Sequence, residues 1–448
     1  MRKINTGFID VPIMSDRTSN HHGQPHCALF LSAVCVAILF MQCIGTSESP
    51  GIPAAAASTD TFAPRWNTTW GGPAQDEGVC VVIGSDCIYA GGTHVNDMTG
   101  KSELAVIKYG KDGTYKWSMQ WNNNRNTSMG GLCVKGDWMY AAGCREVAPG
   151  DTNIALINMS TGGGLIWATN WGALDKNDVP ISIFADDSIY VLGSTDRRRF
   201  NYNFLFVKFT YNGTGIADKD WGTDYNEVMT GAAMDSTGFF TTGYRSVGND
   251  TELILAKFDM DFKKIWDTKW NSPNKDIARC IAVVDDYVYV AGDVTDRYTG
   301  ISDALLLKYN KTGALQWEKK ETTPWNESIR SLSVSGADVY AAGVTQKNTS
   351  SDCLLMRFDE NGALLFSKSW DSGGEETIAS VGHDSTGLFA VGAVVEVVGG
   401  DSQVLVMHTG FDGSGVPEHR QFFIFMLATS VAATLFVMNR RRKSCPVI

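Results

Sequence analysis

The chain has 448 residues, a formal net charge of −11, 46 glycines, 13 tryptophans and only 7 histidines. An acidic body argues against nucleic acid as a partner, because phosphate binding needs clustered cations, and points to solubility or to cations instead. Length alone would suggest two or three domains, but a repeat fold absorbs such a length as one unit.

Residues 27–45 form an apolar run after a polar start that carries Arg2, Lys3 and Arg17. The run's nineteen residues are long for a signal core and just enough to span a membrane, so 1–45 reads as a signal peptide or a signal anchor. Residues 46–64, with the stretch SPGIPAAAAS, read as a linker.

From 65 to 413 the chain repeats itself. A cation or its substitute recurs at Lys108, Asn158, Lys208, Lys257, Lys308, Arg357 and His408, at steps of 49 to 51 residues. An aromatic series has the same beat: Tyr89, Tyr140, Tyr190, Phe240, Tyr289, Tyr340 and Phe389. Repeats of this length mark solenoids, propellers or arrays. One period, taken at 270–325, contains four alternating β-type runs. DIARCIAVV and YVYVAGDV are joined at Asp285-Asp286, and DALLLKYNKTGALQW is a hairpin with an Asn-Lys-Thr-Gly turn. Four short strands in each of seven periods predict an all-β fold, a seven-bladed β-propeller of four-stranded blades.

The fourth strands end in W-x-x-x-W at Trp117/Trp121, Trp167/Trp171 and Trp266/Trp270, and with more variation in blades 3, 5 and 6. Blade 7 stops after its third strand, 404–410, with no tryptophan strand of its own. The missing piece is RWNTTW at 65–70, so an N-terminal strand is expected to complete blade 7, close the ring and remove its free edge.

The pattern resembles the SBBP-type β-propeller repeat of bacterial and archaeal surface proteins. The resemblance rests on W-G-G-x-x-x-D-E (70–77), I-Y-A-G-G-T (88–93), V-Y-V-A-G-D (288–293) and the tryptophan hairpin, and covers about 61–413. It implies a surface propeller and names no activity. Kelch repeats share the hairpin logic but use Gly-Gly after the second strand, and only Gly91-Gly92 fits. The other blades read Ala-Gly, Leu-Gly, Thr-Gly or Val-Gly.

Residues 414–421 make a short stalk before 422–439, an apolar stretch followed by Arg440, Arg441, Arg442 and Lys443. That is the signature of a transmembrane helix with a cytoplasmic basic tail, 440–448, and the positive-inside rule places the propeller outside. Sequons at Asn67, Asn126, Asn158, Asn212, Asn249, Asn310, Asn326 and Asn348 all lie in the propeller and fit an extracellular glycoprotein.

No catalytic constellation is present. The propeller's three histidines, His94, His383 and His408, fall in different repeats, and there is no G-x-S-x-G, H-E-x-x-H or phosphate loop. Acids recur before the first strands at Glu77, Asp178, Glu227, Asp276, Glu327 and Glu376, with Ser128 breaking the series. They are expected to ring one mouth of the central channel, where calcium is the one cofactor they suggest; the bland alternative is solvated inter-blade turns. The loops between strands two and three carry Arg197, Arg198, Arg199, Phe200 and Tyr202, and Arg297 with Tyr298, as a candidate glycan- or protein-contact face. Glu103, Asn153, Asn203, Glu252, Asp303, Asp352 and Gln403 open the third strands and read as loop caps. The propeller cysteines read as small buried side chains, with hairpin bridges Cys80–Cys87 or Cys133–Cys144 as the alternative.

The expected function is a membrane-anchored binding or envelope-scaffold module, not an enzyme, with an envelope protein or glycan as partner. A carbohydrate-active or cofactor-dependent propeller enzyme and a structural surface-layer component are the competing classes.

Overall fold

A computed structural model describes residues 60–198, 201–347, 350–395 and 400–413. The apolar segments 27–45 and 422–439, and with them Arg199, Phe200 and Asn348, lie outside the described residues. Among the described residues no helix is long and apolar enough to cross a membrane.

The chain forms seven antiparallel sheets in sequence order. Blade 1 begins at Glu77. Blade 5 is typical, with strands Lys275–Val284, Tyr287–Thr295, Ser302–Asn310 and Leu315–Glu321. In blade 7 the fourth strand is Trp66–Trp70, antiparallel to Ser402–Thr409, with Trp66 opposite His408 and Trp70 opposite Val404. The expected closure by the N-terminal strand is therefore in place. The linker boundary needs a correction: Asp60–Thr61 add a short parallel strand to blade 6, opposite Lys368 and Ser369, and Phe62 is buried. An apolar residue beside a free sheet edge gains both backbone partners and burial, so the chain is held before residue 65.

The two sequence series turn out to be one structural feature. Each second-strand aromatic lies directly opposite the third-strand cation of its own blade, as Tyr89 opposite Lys108 and Tyr289 opposite Lys308. The charged ends of Lys108, Lys208, Lys257, Lys308 and Arg357 lie 4.7–5.8 Å from the ring centres of Tyr89, Tyr190, Phe240, Tyr289 and Tyr340. In blade 7 His408 stacks flat on Phe389 at 4.2 Å. Cation–π contacts of this kind contribute about 0.5–2 kcal/mol each. The lysine also reaches the next blade: Lys308 Nζ donates to the Glu360 carbonyl at 2.9 Å.

The core is seven inter-blade interfaces in place of one centre. Each apolar cluster joins residues of two neighbouring blades, for example Tyr289, Leu306, Leu354 and Phe358 between blades 5 and 6. The closing interface, with Ile88 and Ile107 against Phe389 and Val404, has the same make-up as the others.

Each penultimate tryptophan packs on the hairpin turn of the following blade, where a glycine at positive φ leaves room for the indole. Trp266 lies over Gly313 (φ 87°) and donates from Nε1 to the Lys311 carbonyl at 3.2 Å. Trp66 over Gly113 joins blade 7 to blade 1 in the same way. Blade 3 has Ala217, opposite Lys208, where the tryptophan would be. At the matching turn of blade 4 Phe262 replaces glycine, at φ 63°, and its buried ring packs on Tyr190, Phe206 and Phe239. The two departures compensate: the next blade supplies the aromatic that blade 3 lacks.

The hairpin disulfides do not form. Cys80, Cys87 and Cys133 are free thiols. Register explains this, since Cys80 faces Gly91 and Cys133 faces Tyr140, so neither proposed pair is directly opposed.

The blade 3–4 exchange predicts a coupled pair. Phe262→Gly empties a buried site and should cost about 3–5 kcal/mol, and Ala217→Trp alone, at an exposed strand position whose turn is already covered by Phe262, should change stability by about 0.5 kcal/mol or less. The double variant restores the arrangement of the other blades and should recover most of the loss. Denaturant unfolding of the four proteins tests this; additive losses would refute the exchange.

Candidate functional site

Every first strand carries a β-bulge at the same place. The register shifts fall at Val79, Gly130, Ile181, Thr230, Arg279, Arg330 and Ala379. A bulge adds one unpaired residue and re-aims its side chain. All seven of these residues line one cavity of about 380 Å³ at the centre of the ring, a size within the range of ligand sites.

The bulge depends on the residue facing it. Opposite it in each second strand stands a glycine: Gly92, Gly143, Gly193, Gly243, Gly292, Gly343 and Gly392. A Cβ at Gly292 would lie 1.9 Å from the Ile277 carbonyl oxygen, and the other six would meet the equivalent backbone oxygen at 1.9–2.5 Å. No side chain fits there, because the obstacle is backbone that the bulge has pushed across.

The cavity wall is two-sided. Blades 7, 1, 2 and 3 contribute Ala379, Val79, Gly130 and Ile181, whereas blades 4, 5 and 6 contribute Thr230, Arg279 and Arg330. Arg279 pairs with the buried Asp293, which also accepts the Ser328 hydroxyl at 2.6 Å. Cys80 lines the cavity, but burial pushes its thiol up to about 12, so it is protonated and a poor nucleophile. Among the described residues lining the cavity none is a histidine.

The acidic series is placed differently from its expected position. Asp178, Glu227, Asp276, Glu327 and Glu376 are buried at the starts of the first strands, beside the inter-blade turns, and do not line the cavity. The turn carboxylates take backbone N–H groups: Ala173 N to Asp178, Thr223 N to Glu227, Ser272 N to Asp276 and Ser372 N to Glu376. In blade 1 that role belongs to Asp76, which accepts from Gly72 N at 2.8 Å and contacts His94 Nδ1 at 2.8 Å. Glu77, the residue selected from the sequence, is half-buried one position further on and lines the cavity. In blade 2 the place is taken by the buried Thr127, not Ser128. A closed channel-mouth ring is thus replaced by buried acids at six blade junctions, five of them capping turns, and a threonine at the seventh.

The loop residues divide as well. Tyr202 does not sit on an outer loop: it is half-buried in the strand Asn201–Phe209, lines the cavity, and burial raises its hydroxyl to about 12. Arg297 and the 90% exposed Tyr298 are on the surface, with Arg297 paired to Asp250 at 3.1 Å. Arg197 and Arg198 end the strand Ile189–Arg198. Of the sequons, Asn67, Asn212 and Asn249 are exposed. Asn158 is buried, and Asn126 and Asn326 spend their amide nitrogens on Glu146 and Gln346. Asn310 is half-buried in a hairpin turn, where its side-chain oxygen accepts from Thr312 and Ala314.

No described protein family matches the chain, and no curated protein matches it. Among solved structures it is similar to the β-propeller domain of the Trilobed protease from Pyrococcus furiosus, at 12% identity and a TM-score of 0.46, over 76% of this chain and 94% of that one. It is similar also to Sqt1 from Chaetomium thermophilum, at 12% identity and a TM-score of 0.45, over 76% and 84%. For the acylaminoacyl peptidase of Pyrococcus horikoshii the values are 11% and 0.42, over 74% of this chain and about half (52%) of that one. At such identities the likeness concerns the propeller fold alone.

Two outcomes follow from this geometry. Gly292→Ala must displace the bulge and should cost about 2–3 kcal/mol by denaturant unfolding; an unchanged midpoint would disprove the steric account. Glu327 is buried, and the one hydroxyl beside its carboxyl, that of Thr323, is shared with the Trp325 carbonyl. Burial raises its carboxyl from 4.5 to about 7. The folded state therefore holds the proton more tightly, and stability declines as pH rises from about 4.5 toward about 7, by up to about 3 kcal/mol. Glu327→Gln should flatten that decline and raise the melting midpoint at about pH 8 relative to wild type. Parallel curves for the two proteins would count against it.

Proposed function

We propose that the propeller is a non-catalytic binding module whose ligand enters the central cavity, held outside the cell by the apolar segment 422–439 and its basic tail. The single observation behind this reading is the ring of seven bulges. A strained, recurring device that turns one residue per blade toward the axis serves recognition better than packing. Its aliphatic half offers apolar contact, and the arc of Thr230, Arg279 and Arg330 offers polar groups that can fix orientation. An envelope glycan or a loop of an envelope protein suits such a wall, with Arg297 and Tyr298 available at the surface. The exposed sequons Asn67, Asn212 and Asn249 favour an extracellular setting. The W-G-G-x-x-x-D-E and V-Y-V-A-G-D motifs favour kinship with SBBP-type surface proteins. Function rests on the site and not on the fold, which hosts many activities.

Ala379→Trp tests the reading by filling the cavity from a bulge position whose side chain faces open space. Binding of envelope glycans and of envelope-protein extracts to the full chain should fall by at least about tenfold. Thermal unfolding of the variant should stay within a few degrees of wild type. Unchanged binding would move recognition to the outer loops, and no binding by the wild-type chain would remove the reading altogether.

A further inference from the structure

The seven blade junctions repeat a three-residue node. It consists of the third-strand opening residue, the residue just after the fourth strand, and the turn cap that follows it. At four junctions the middle residue is Gly71, Gly172, Gly222 or Thr322, and at two it is an amide. Asn122 Nδ2 donates to the opener Glu103 at 2.8 Å. Asn271, with its amide nitrogen turned to the cap, donates to Asp276 at 3.1 Å. Between blades 6 and 7 all three places are carboxylates: Asp352, Asp371 and Glu376. The donor has been replaced by a third acceptor, and one oxygen from each lies within 4.8 Å of the others.

Like charges converging in a largely buried place are costly without a counter-charge. Asp352 and Glu376 are 6% and 0% exposed, and Asp371 closes the node from the solvent side. Glu376 Oε1 accepts the Ser372 hydroxyl and the N–H groups of Ser372 and Gly374, whereas Oε2, fully buried, has no partner. Lys347 Nζ stands 3.6 Å from Asp352 and donates to Ser369 Oγ at 2.8 Å. Three converging carboxyl groups against the Lys347 ammonium give the node an excess of negative charge.

We propose that Asp352, Asp371 and Glu376 bind a calcium ion that clasps blade 6 to blade 7. An all-oxygen, carboxylate-rich donor set selects a hard divalent cation, and the irregular placing of the three groups, on two strand starts and a turn, favours calcium over the stricter octahedron of magnesium. The place has structural sense. Asp371 directly follows the strand Leu364–Trp370, against which Asp60–Thr61 add their parallel edge. Glu376 opens the blade that the N-terminal strand completes. The ion would therefore sit where the two ends of the propeller are latched, and the inference is independent of what the cavity binds.

Calcium titration calorimetry on the full chain, stripped of metal with a chelator, tests this alongside thermal unfolding. One ion per chain and a rise in the unfolding midpoint are expected, with magnesium much weaker. Asp371→Asn changes an exposed side chain, so folding is retained. It recreates the amide found at two other junctions and should raise the calcium-free midpoint while weakening calcium at least about tenfold. Glu376→Gln should weaken calcium in the same way. Absence of calcium heat in the wild-type chain would overturn the proposal, and so would an undiminished response in Asp371→Asn.

Discussion

A carbonyl oxygen pushed across a strand pair, against a residue with no side chain, is the contact on which the architecture of this protein turns. In each blade the first strand gains one residue relative to its partner, and the displaced backbone occupies the space a Cβ would need at the second-strand glycine. The glycine is therefore required by sterics rather than by backbone angle. The extra residue lines the axial cavity instead of pairing with the second strand, and Thr230 also donates to the Ala278 carbonyl of the next blade. Across the seven blades it is valine, glycine, isoleucine, threonine, arginine or alanine, with glycine required at Gly130, where a Cβ would meet the Pro180 carbonyl of blade 3. Invariance at one position makes variation at the other possible, and variation is what a recognition surface needs.

Around that inner ring the blades are tied by two outer contacts. The aromatic–cation pair fixes the second and third strands of one blade, and its lysine reaches the carbonyls of the next blade's turn. The indole over the turn glycine fixes neighbouring blades to each other. Blades 3 and 4 show that what matters is a filled volume, not a particular residue. Phe262 reaches across to Tyr190 and Phe206 of blade 3, which lacks the tryptophan, and accepts a positive φ to do so. Such backbone strain costs of order 1 kcal/mol, which the burial of a phenyl ring outweighs. Because each interface joins only neighbours, the ring gains its last interface only when Trp66–Trp70 complete blade 7.

The buried turn carboxylates illustrate how a periodic signal can be correct in kind and displaced in place. Counting from the fourth-strand tryptophan puts the cap six residues on at Asp76, Asp276 and Glu376. In blade 1 two acids are adjacent, and the motif does not say which one enters the turn. Asp76 enters it, and Glu77 begins the strand and faces the cavity. One residue is the difference between a buried cap and an axial side chain, since neighbours on an extended strand point opposite ways. The glycine series held the better clue to the axis. Ala-Gly, Leu-Gly, Thr-Gly and Val-Gly are visible in the sequence, but only the backbone collision explains why the second residue never varies.

Period, alternation and the displaced tryptophan strand were enough to establish seven four-stranded blades and the manner of closure, because each depends on contacts repeated many times along the chain. The sequence also fixed which residue types recur, including the aromatic and cationic series that proved to face each other. What it left open was direction. A bulge resets the in–out alternation at a point that no residue type marks, so the axial residues and the inward position of Tyr202 follow only from the folded sheets. Convergence was also left open: Asp352, Asp371 and Glu376 belong to a strand opening, a turn and a strand start. They meet only because blades 6 and 7 are packed side by side, a relation that three-dimensional closure imposes and linear order does not.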